Sequence, residues 1–353
     1  MTARDLRRAA SVLVCGACCA PFALAACLYD VPDVGAPAPD VDSGVSGPDV
    51  SSTDGSAAKD AGGNDANVAD AGGCNPDAAF GTPALVSELA DPSYDARYPR
   101  LTSDERTIYY AFGPAAGPFV LYSATRATTS SPFSGMAPIA GLTGANGSDN
   151  NVTVSEDGLV ALLSSNRKQG SVNPTVSQIW STSRANTSAA FSTPLWSNTG
   201  FGSQDGDYDP FFVSGGGGLF YLASVSLSAP GIAHIRRATF VNGTYGSASG
   251  PDFSTGNSAA DDRAPVLTPD ELRIYYATNA NPSGGVLGGG AGNVWTSSRP
   301  STALQWRPPT VVAELSGFGT YPKPGWVSAD DCRLYLFSNK SGHDAIYVAT
   351  RGH

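Results

Sequence analysis

Histidine and methionine are the scarcest residues of this chain, with three and two copies among 353 residues. His234, His343 and His353 lack the close spacing to cysteines or acids that a zinc site needs. A Gly-x-Ser-x-Gly elbow is also missing, since the segment 246–250 has Ala248 at its central position. The sequence therefore predicts no metal, no other cofactor and no serine-hydrolase site.

Charged residues are few as well, at 15% of the chain, and their balance is acidic, with a net charge of −10. Much of this charge lies in residues 28–75, which hold nine aspartates and one lysine. Without a basic stripe, binding to nucleic acid through phosphate neutralisation is not expected. Glycine and proline, in contrast, are abundant at 41 and 26 residues, which favours a β-rich fold with many turns.

The first residues have the three parts of a secretory signal: three arginines, an uncharged run over 9–26, and small residues before a cysteine. Leu24-Ala25-Ala26-Cys27 resembles the bacterial lipobox, which implies a signal peptide over 1–26 and a lipid on Cys27. An ordinary cleaved signal or an uncleaved anchor are the alternatives. The residue after Cys27 is Leu28, whereas in bacterial lipoproteins an aspartate there commonly signals retention in the inner membrane. The same resemblance therefore favours the outer membrane, with a periplasmic or a surface-facing orientation.

Residues 27–75 are rich in Asp, Ala, Gly and Pro and nearly free of aromatics. Such a composition buries too little apolar surface to offset the entropy of ordering, so we expect a disordered acidic tether. Once the signal is removed and Cys27 is acylated, only Cys74 and Cys332 remain. In an oxidising compartment they are predicted to form a disulfide, with two unbonded thiols as the alternative.

From residue 80 onward the chain contains five repeats of roughly 55 residues, a period typical of repeat architectures. Each has a turn such as Thr268-Pro269-Asp270 or Ser155-Glu156-Asp157-Gly158, and four of the five have a strand ending in arginine, as at Arg184 and Arg299. These segments resemble the PD40 repeat, the WD40-like propeller unit of TolB and its relatives. The resemblance implies an all-β fold, a single β-propeller over residues 76–353.

Five inner strand triplets and five outer strands predict five four-stranded blades, with six blades as the alternative. One outer strand, residues 82–89, precedes the first repeat, and nothing comparable follows Arg351. We therefore expect this N-terminal strand to complete the last blade by pairing with residues 346–350, which closes the ring and removes its exposed edges.

The function expected from this pattern is a monomeric lipoprotein, membrane-bound through its lipid, that binds or scaffolds a protein or cell-wall glycan and is no enzyme. The alternative is a five-bladed glycoside hydrolase with acids in the central funnel. Asp95, Asp149, Asp209 and Asp261 precede the innermost strands, but we assign them to one repeat position, which indicates blade architecture rather than catalysis. The candidate partner-binding residues at the funnel are Arg97, Asn151, Asp209, Arg263 and Lys323.

Overall fold

A computed structural model of the chain describes residues 73–143, 147–168, 176–196, 206–226, 229–246 and 259–352. The expected signal peptide, Cys27 and almost all of the expected tether lie outside these residues. Within the described ranges, no helix combines the length and apolar character needed to cross a membrane.

The described residues form five antiparallel sheets of four strands, the blades of a β-propeller. Blade one contains β2 (Asp95–Leu101), β3 (Thr107–Gly113), β4 (Val120–Thr125) and β5 (Ser134–Pro138). Blade two contains β6 (Asp149–Val154), β7 (Val160–Ser165), β8 (Gln178–Ser183) and β9 (Leu195–Trp196). Blade three contains β10 (Asp207–Phe212), β11 (Leu219–Ser226), β12 (Ala229–Val241) and β13 (Thr244–Tyr245). Blade four contains β14 (Asp262–Leu267), β15 (Arg273–Thr278), β16 (Asn293–Ser298) and β17 (Thr310–Val311). Blade five contains β18 (Lys323–Val327), β19 (Arg333–Ser338), β20 (Ala345–Thr350) and β1 (Ala84–Leu85).

The predicted five blades are confirmed, and the six-bladed alternative is wrong. The N-terminal strand completes blade five as expected, with Ala84 opposite Val348 and Leu85 opposite Tyr347. It is shorter than predicted, because a 3-10 helix, Ser87–Leu89, replaces its second half. The first strands of neighbouring blades contact one another, so β2, β6, β10, β14 and β18 surround the central channel.

Each repeated turn is held by a hydroxyl that donates to an aspartate two residues later. The same hydroxyl accepts an N–H from the strand that follows, which fixes the hairpin between the first and second strands. The four pairs of this kind are Thr102 with Asp104, Ser155 with Asp157, Thr268 with Asp270, and Ser328 with Asp330.

The recurring arginine after the third strand lies over an aromatic ring at the outer edge of its blade. These contacts cover apolar surface with an arginine stem and add a cation–π attraction. The distances from Cζ to the ring centroid are 4.5 Å for Arg126 over Phe133, 4.4 Å for Arg184 over Phe191, 4.3 Å for Arg299 over Trp306 and 3.9 Å for Arg351 over Phe80.

A disulfide joins Cys74, just before the first strand, to Cys332 in the turn of blade five, with 6.1 Å between the Cα atoms. The second strands are buried on both faces between blades, as shown by Ile108, Leu162 and Phe220, which have no exposed surface. This rigid packing holds the ends of the inner strands, where the candidate residues lie, in fixed positions.

Candidate active site at the mouth of the central channel

Every innermost strand contains a bulge near its first residues, where its register with the second strand shifts. In three of them the bulge holds a residue other than glycine at positive φ: Tyr98 (54°), Asp209 (56°) and Ala264 (52°). Each of the three precedes a proline. Left-handed backbone at such residues is strained, and bulges redirect side chains, so the same feature marks the channel mouth in blades one, three and four.

Asp209 is a buried carboxylate at this mouth, with 3% of its surface exposed. Its Oδ2 accepts the backbone N–H of Ala264 at 3.0 Å, which ties blade three to blade four. Burial raises the pKa of Tyr98, and the negative charge of Asp209 adds to this rise. Asp209 therefore lies within electrostatic reach of Tyr98, across the channel from its own blade.

Lys323, at the start of β18, extends its ammonium into the same space. Its Nζ donates to the Tyr98 hydroxyl at 3.4 Å and lies 5.1 Å from the ring centroid of Tyr321. Burial lowers the pKa of Lys323, but the charges of Tyr98 and Asp209 outweigh it and the net shift is upward. Among the described residues, no carboxylate lies within 4.0 Å of this ammonium.

Arg263 and Asp261 form the rim of the mouth in blade four. The Arg263 Nε donates to Asp261 Oδ1 at 2.9 Å, and its guanidinium lies 4.3 Å from the ring centroid of Tyr208. Burial lowers the pKa of Arg263, whereas the charges of Asp261 and Asp209 raise it further than burial lowers it. Two carboxylates, one at the rim and one deeper, thus act on the same guanidinium.

Arg100 closes the channel below this site. It is 2% exposed, and its two terminal nitrogens donate to the carbonyl of Gly325 in blade five and, at 3.2 Å, to that of Pro210 in blade three. Burial lowers its pKa to about 10, while the charge of Asp209 acts in the opposite direction. A cavity of about 60 Å³ on the far side is lined by Arg100 and by residues of the turns, so the mouth has a floor.

Of the five residues predicted at the funnel, Asp209, Arg263 and Lys323 come together. Arg97 does not join them, because it is held by ion pairs to Asp95 at 2.7 Å and Asp344 at 2.5 Å. The fifth, Asn151, is fully buried in β6, and both polar atoms of its amide lack a hydrogen-bond partner.

Sequence reasoning missed Tyr98, Arg100 and Tyr321. Two signals were present: Tyr98 precedes a proline as Asp209 does, and Arg100 is a charged residue where the other inner strands have Thr153, Phe211, Val266 and Trp326.

The view that the four acids share one repeat position is wrong. Asp149 and Asp262 are equivalent, since each lies opposite the sixth residue of its second strand, and the equivalent in blade three is Asp207, not Asp209. Asp149 is bound through both oxygens to Arg167 at 2.8 Å, a structural pair. Asp95 accepts from Arg97 and from the backbone N–H of Asp344. Asp209 differs from both because the bulge places it at the channel.

No family model matches the chain, and no curated protein sequence matches it. Solved structures do match over most of its length. A glycoside hydrolase is 9% identical, with a TM-score of 0.50, and the match covers 78% of this chain and 92% of that one. A glycosyl hydrolase from Bacteroides ovatus is 13% identical, with a TM-score of 0.48 and coverage of 78% and 91%. The alpha-L-arabinofuranosidase of Podospora anserina, in complex with cellotriose, is 9% identical, with a TM-score of 0.48 and coverage of 80% and 99%. At these identities the likeness concerns the fold.

The expected PD40 or TolB-like membership is wrong: no family model supports it, and the structural neighbours are five-bladed glycoside hydrolases. The residues that suggested PD40 repeats stabilise the turns and the outer edges of the blades, and four-stranded propeller blades of other families need the same contacts. The expectation of a non-enzymatic binding or scaffolding module is contradicted as well, because the matching solved structure of this fold is a glycoside hydrolase, which favours the enzymatic alternative. Its main argument, acids recurring at one position, fails at Asp209.

Proposed function

We propose that this protein is a glycoside hydrolase that acts at the mouth of the propeller channel. The observation that carries the proposal is the convergence of two carboxylates, Asp209 and Asp261, on Arg263 above a closed floor. Glycosidic bond cleavage commonly uses two carboxyl groups, one to protonate the leaving oxygen and one to activate water or attack the sugar. The shared fold with a glycoside hydrolase supports the same reaction class.

The two carboxylates differ in position, and this suggests different roles. Asp209 lies deep and is fixed by the N–H of Ala264, so it would face the sugar carbon as base or nucleophile. Asp261 is half-buried at the rim and would protonate the oxygen of the leaving group. The half-buried rings of Tyr98, Tyr208 and Tyr321 offer flat apolar surfaces against which a sugar ring can pack.

The test is hydrolysis of a panel of aryl glycosides and oligosaccharides by the purified protein. Asp209→Asn should lower kcat/KM by about 10²–10⁴ on every substrate that the protein cleaves. Asp261→Asn should lower it on alkyl glycosides, yet spare dinitrophenyl glycosides, whose leaving group needs no proton. Glu314→Gln, which changes an exposed carboxylate in the 3-10 helix after β17, is the matched control and should keep full activity.

Two outcomes would contradict the proposal. If the wild-type protein cleaves no glycoside of the panel, the function is wrong. If it cleaves one and both variants keep full activity, the carboxyl groups have been assigned to the wrong residues.

We also propose that the enzyme is exported and anchored to the outer membrane through a lipid on Cys27. The support is in the sequence alone, from the signal-like segment 1–26 and its lipobox-like end. An enzyme anchored in this way would meet glycans at the membrane surface.

A further inference from the structure

The charged residues at the centre of the channel mouth differ in balance from the whole chain. Three cations, Arg100, Arg263 and Lys323, and two carboxylates, Asp209 and Asp261, lie at this centre and its floor, which leaves one positive charge in excess among these five. The count leaves out Arg97, which is ion-paired with Asp95 and Asp344, and the buried Asp262. The chain as a whole carries −10. A local positive charge on an acidic protein attracts anions only at that point, which gives the mouth a preference that the rest of the surface lacks.

The excess charge is centred on Lys323. Arg263 is paired with Asp261 at 2.9 Å, and Arg100 donates to two backbone carbonyls at the floor. The Lys323 ammonium has the Tyr98 hydroxyl at 3.4 Å and lies over the rings of Tyr98 and Tyr321. The charge of Asp209 helps to keep this ammonium protonated, but no carboxylate among the described residues lies close enough to form a direct ion pair with it.

Asn151 provides a second, independent sign of a ligand. The register of β6 is continuous from Asn151 to Thr153, so the two side chains lie on the same side of the strand. The Thr153 hydroxyl accepts the N–H of Phe212, so that side faces blade three, which carries Asp209. The fully buried Asn151 amide therefore lies toward the strand of Asp209 with its oxygen and nitrogen both unpaired, a deficit that a polar ligand can remove.

We propose that the sugar bound at this mouth is an acidic one, a uronic acid, whose carboxylate pairs with Lys323 and the Tyr98 hydroxyl. Ring hydroxyls of the same sugar then reach the unpaired Asn151 amide. The proposal rests on the proposed glycoside hydrolase function and names its substrate class. A carboxylate fits better than a neutral group because it supplies the direct ion pair that Lys323 lacks and accepts from two donors at once.

The proposal is tested by binding, measured separately from hydrolysis. The probes are sodium D-glucuronate and D-galacturonate, compared with D-glucose and D-galactose, and binding is followed by saturation-transfer NMR and titration calorimetry at low salt. The wild-type protein should bind one of the uronates about 10- to 100-fold more tightly than its neutral counterpart, as expected for a charge-assisted hydrogen bond. Lys323→Gln should remove this preference, and Asn151→Ala should weaken binding of acidic and neutral sugars alike.

Lys340→Gln is the matched control, since it removes the same charge from an exposed lysine in the loop after β19 and should keep the preference. Melting temperatures of the three variants show whether a loss of binding is a loss of folding. Equal affinity for acidic and neutral sugars, or an equal loss in Lys323→Gln and Lys340→Gln, would overturn the proposal. Tighter binding of D-galactose 6-sulfate than of both uronates would overturn the uronic acid assignment and indicate a sulfated sugar instead.

The two proposals can fail separately. Hydrolysis of neutral glycosides without uronate binding would refute the acidic-sugar assignment and leave the glycoside hydrolase function intact. Uronate binding that depends on Lys323, without hydrolysis of any glycoside or uronide, would support the acidic-sugar site and refute the glycoside hydrolase function.

Discussion

Removal of the disulfide is expected to cost this propeller more than any change at its outer strands. Cys74 and Cys332 are 258 residues apart in the chain, so their bond closes almost the whole described domain into one loop. The chain-entropy model gives about 5–6 kcal/mol for a loop of this length, and native strain commonly reduces such values. We expect Cys74→Ala to lower the free energy of unfolding by about 4–6 kcal/mol.

The variant is chosen so that little else changes. Cys332 is 5% exposed, and its free thiol would continue to fill its place in the turn as a small apolar group. The N-terminal strand would still be held by the two residue pairs of β1 with β20 and by Phe80, which is buried. The loss therefore comes mainly from the greater freedom of the unfolded chain.

Urea unfolding followed by tryptophan fluorescence measures the effect. With a slope near 3 kcal/mol/M, the midpoint should fall by about 1.3–2 M. A reductant should lower the wild-type midpoint by the same amount and leave that of Cys74→Ala unchanged. If the free energy of unfolding of the variant lies within about 0.5 kcal/mol of that of the oxidised wild-type protein, the entropic argument is wrong. The pairing of β1 with β20 would then be sufficient to close the ring.

The number of blades could be predicted from the sequence because recurring residues mark the first turn and the end of the third strand in nearly every blade. The Thr268-Pro269-Asp270 turn and the terminal Arg299 belong to local structures that need those residues, and such signals recur once per blade. Outer strands carry no such requirement, since β1 and β17 each have only two paired residues and face solvent on one side. Their bounds were therefore predicted poorly, as in residues 82–89.

The site could be predicted only in part, because a bulge shifts side chains without changing composition. Asp209 and Asp149 both lie shortly before the apolar part of an inner strand, and this likeness suggested that they are equivalent, although the register shows that they are not. One inserted residue moves a side chain to the other face of a strand, and this decides whether an acid pairs with an arginine or faces the channel. For the same reason Arg97 was predicted at the mouth and Tyr98 was not, whereas the bulge places Tyr98 there.

Three further predictions concern the anchor, the blade interface and a buried acid. Cys27→Ser should move the protein from the membrane fraction to the soluble one, and mass spectrometry should find an acylated Cys27 in the wild-type protein; a soluble wild-type protein with another N-terminus would contradict this. Glu105→Gln should cost about 2–4 kcal/mol in thermal unfolding, because the buried Glu105 pairs with both Arg126 and Arg333; its loss leaves Arg126 without a carboxylate and Arg333 with only the longer pair to Asp330 at 3.5 Å. Asp262→Asn should instead stabilise the fold at pH 7. Asp262 is fully buried and its oxygens accept no hydrogen bond of good geometry, although the Thr278 side chain and the His234 imidazole, with Nδ1 at 3.7 Å, lie beside it. Burial raises the pKa of Asp262, so the folded state binds its proton more tightly than the unfolded state, and the wild-type protein loses stability as the pH rises from about 3.8 through the folded pKa. The variant escapes this loss, and its advantage should be small at pH 4 and exceed about 1 kcal/mol at pH 7 in urea unfolding. An advantage of equal size at both pH values would show that the charge of Asp262 is not what costs the fold its stability.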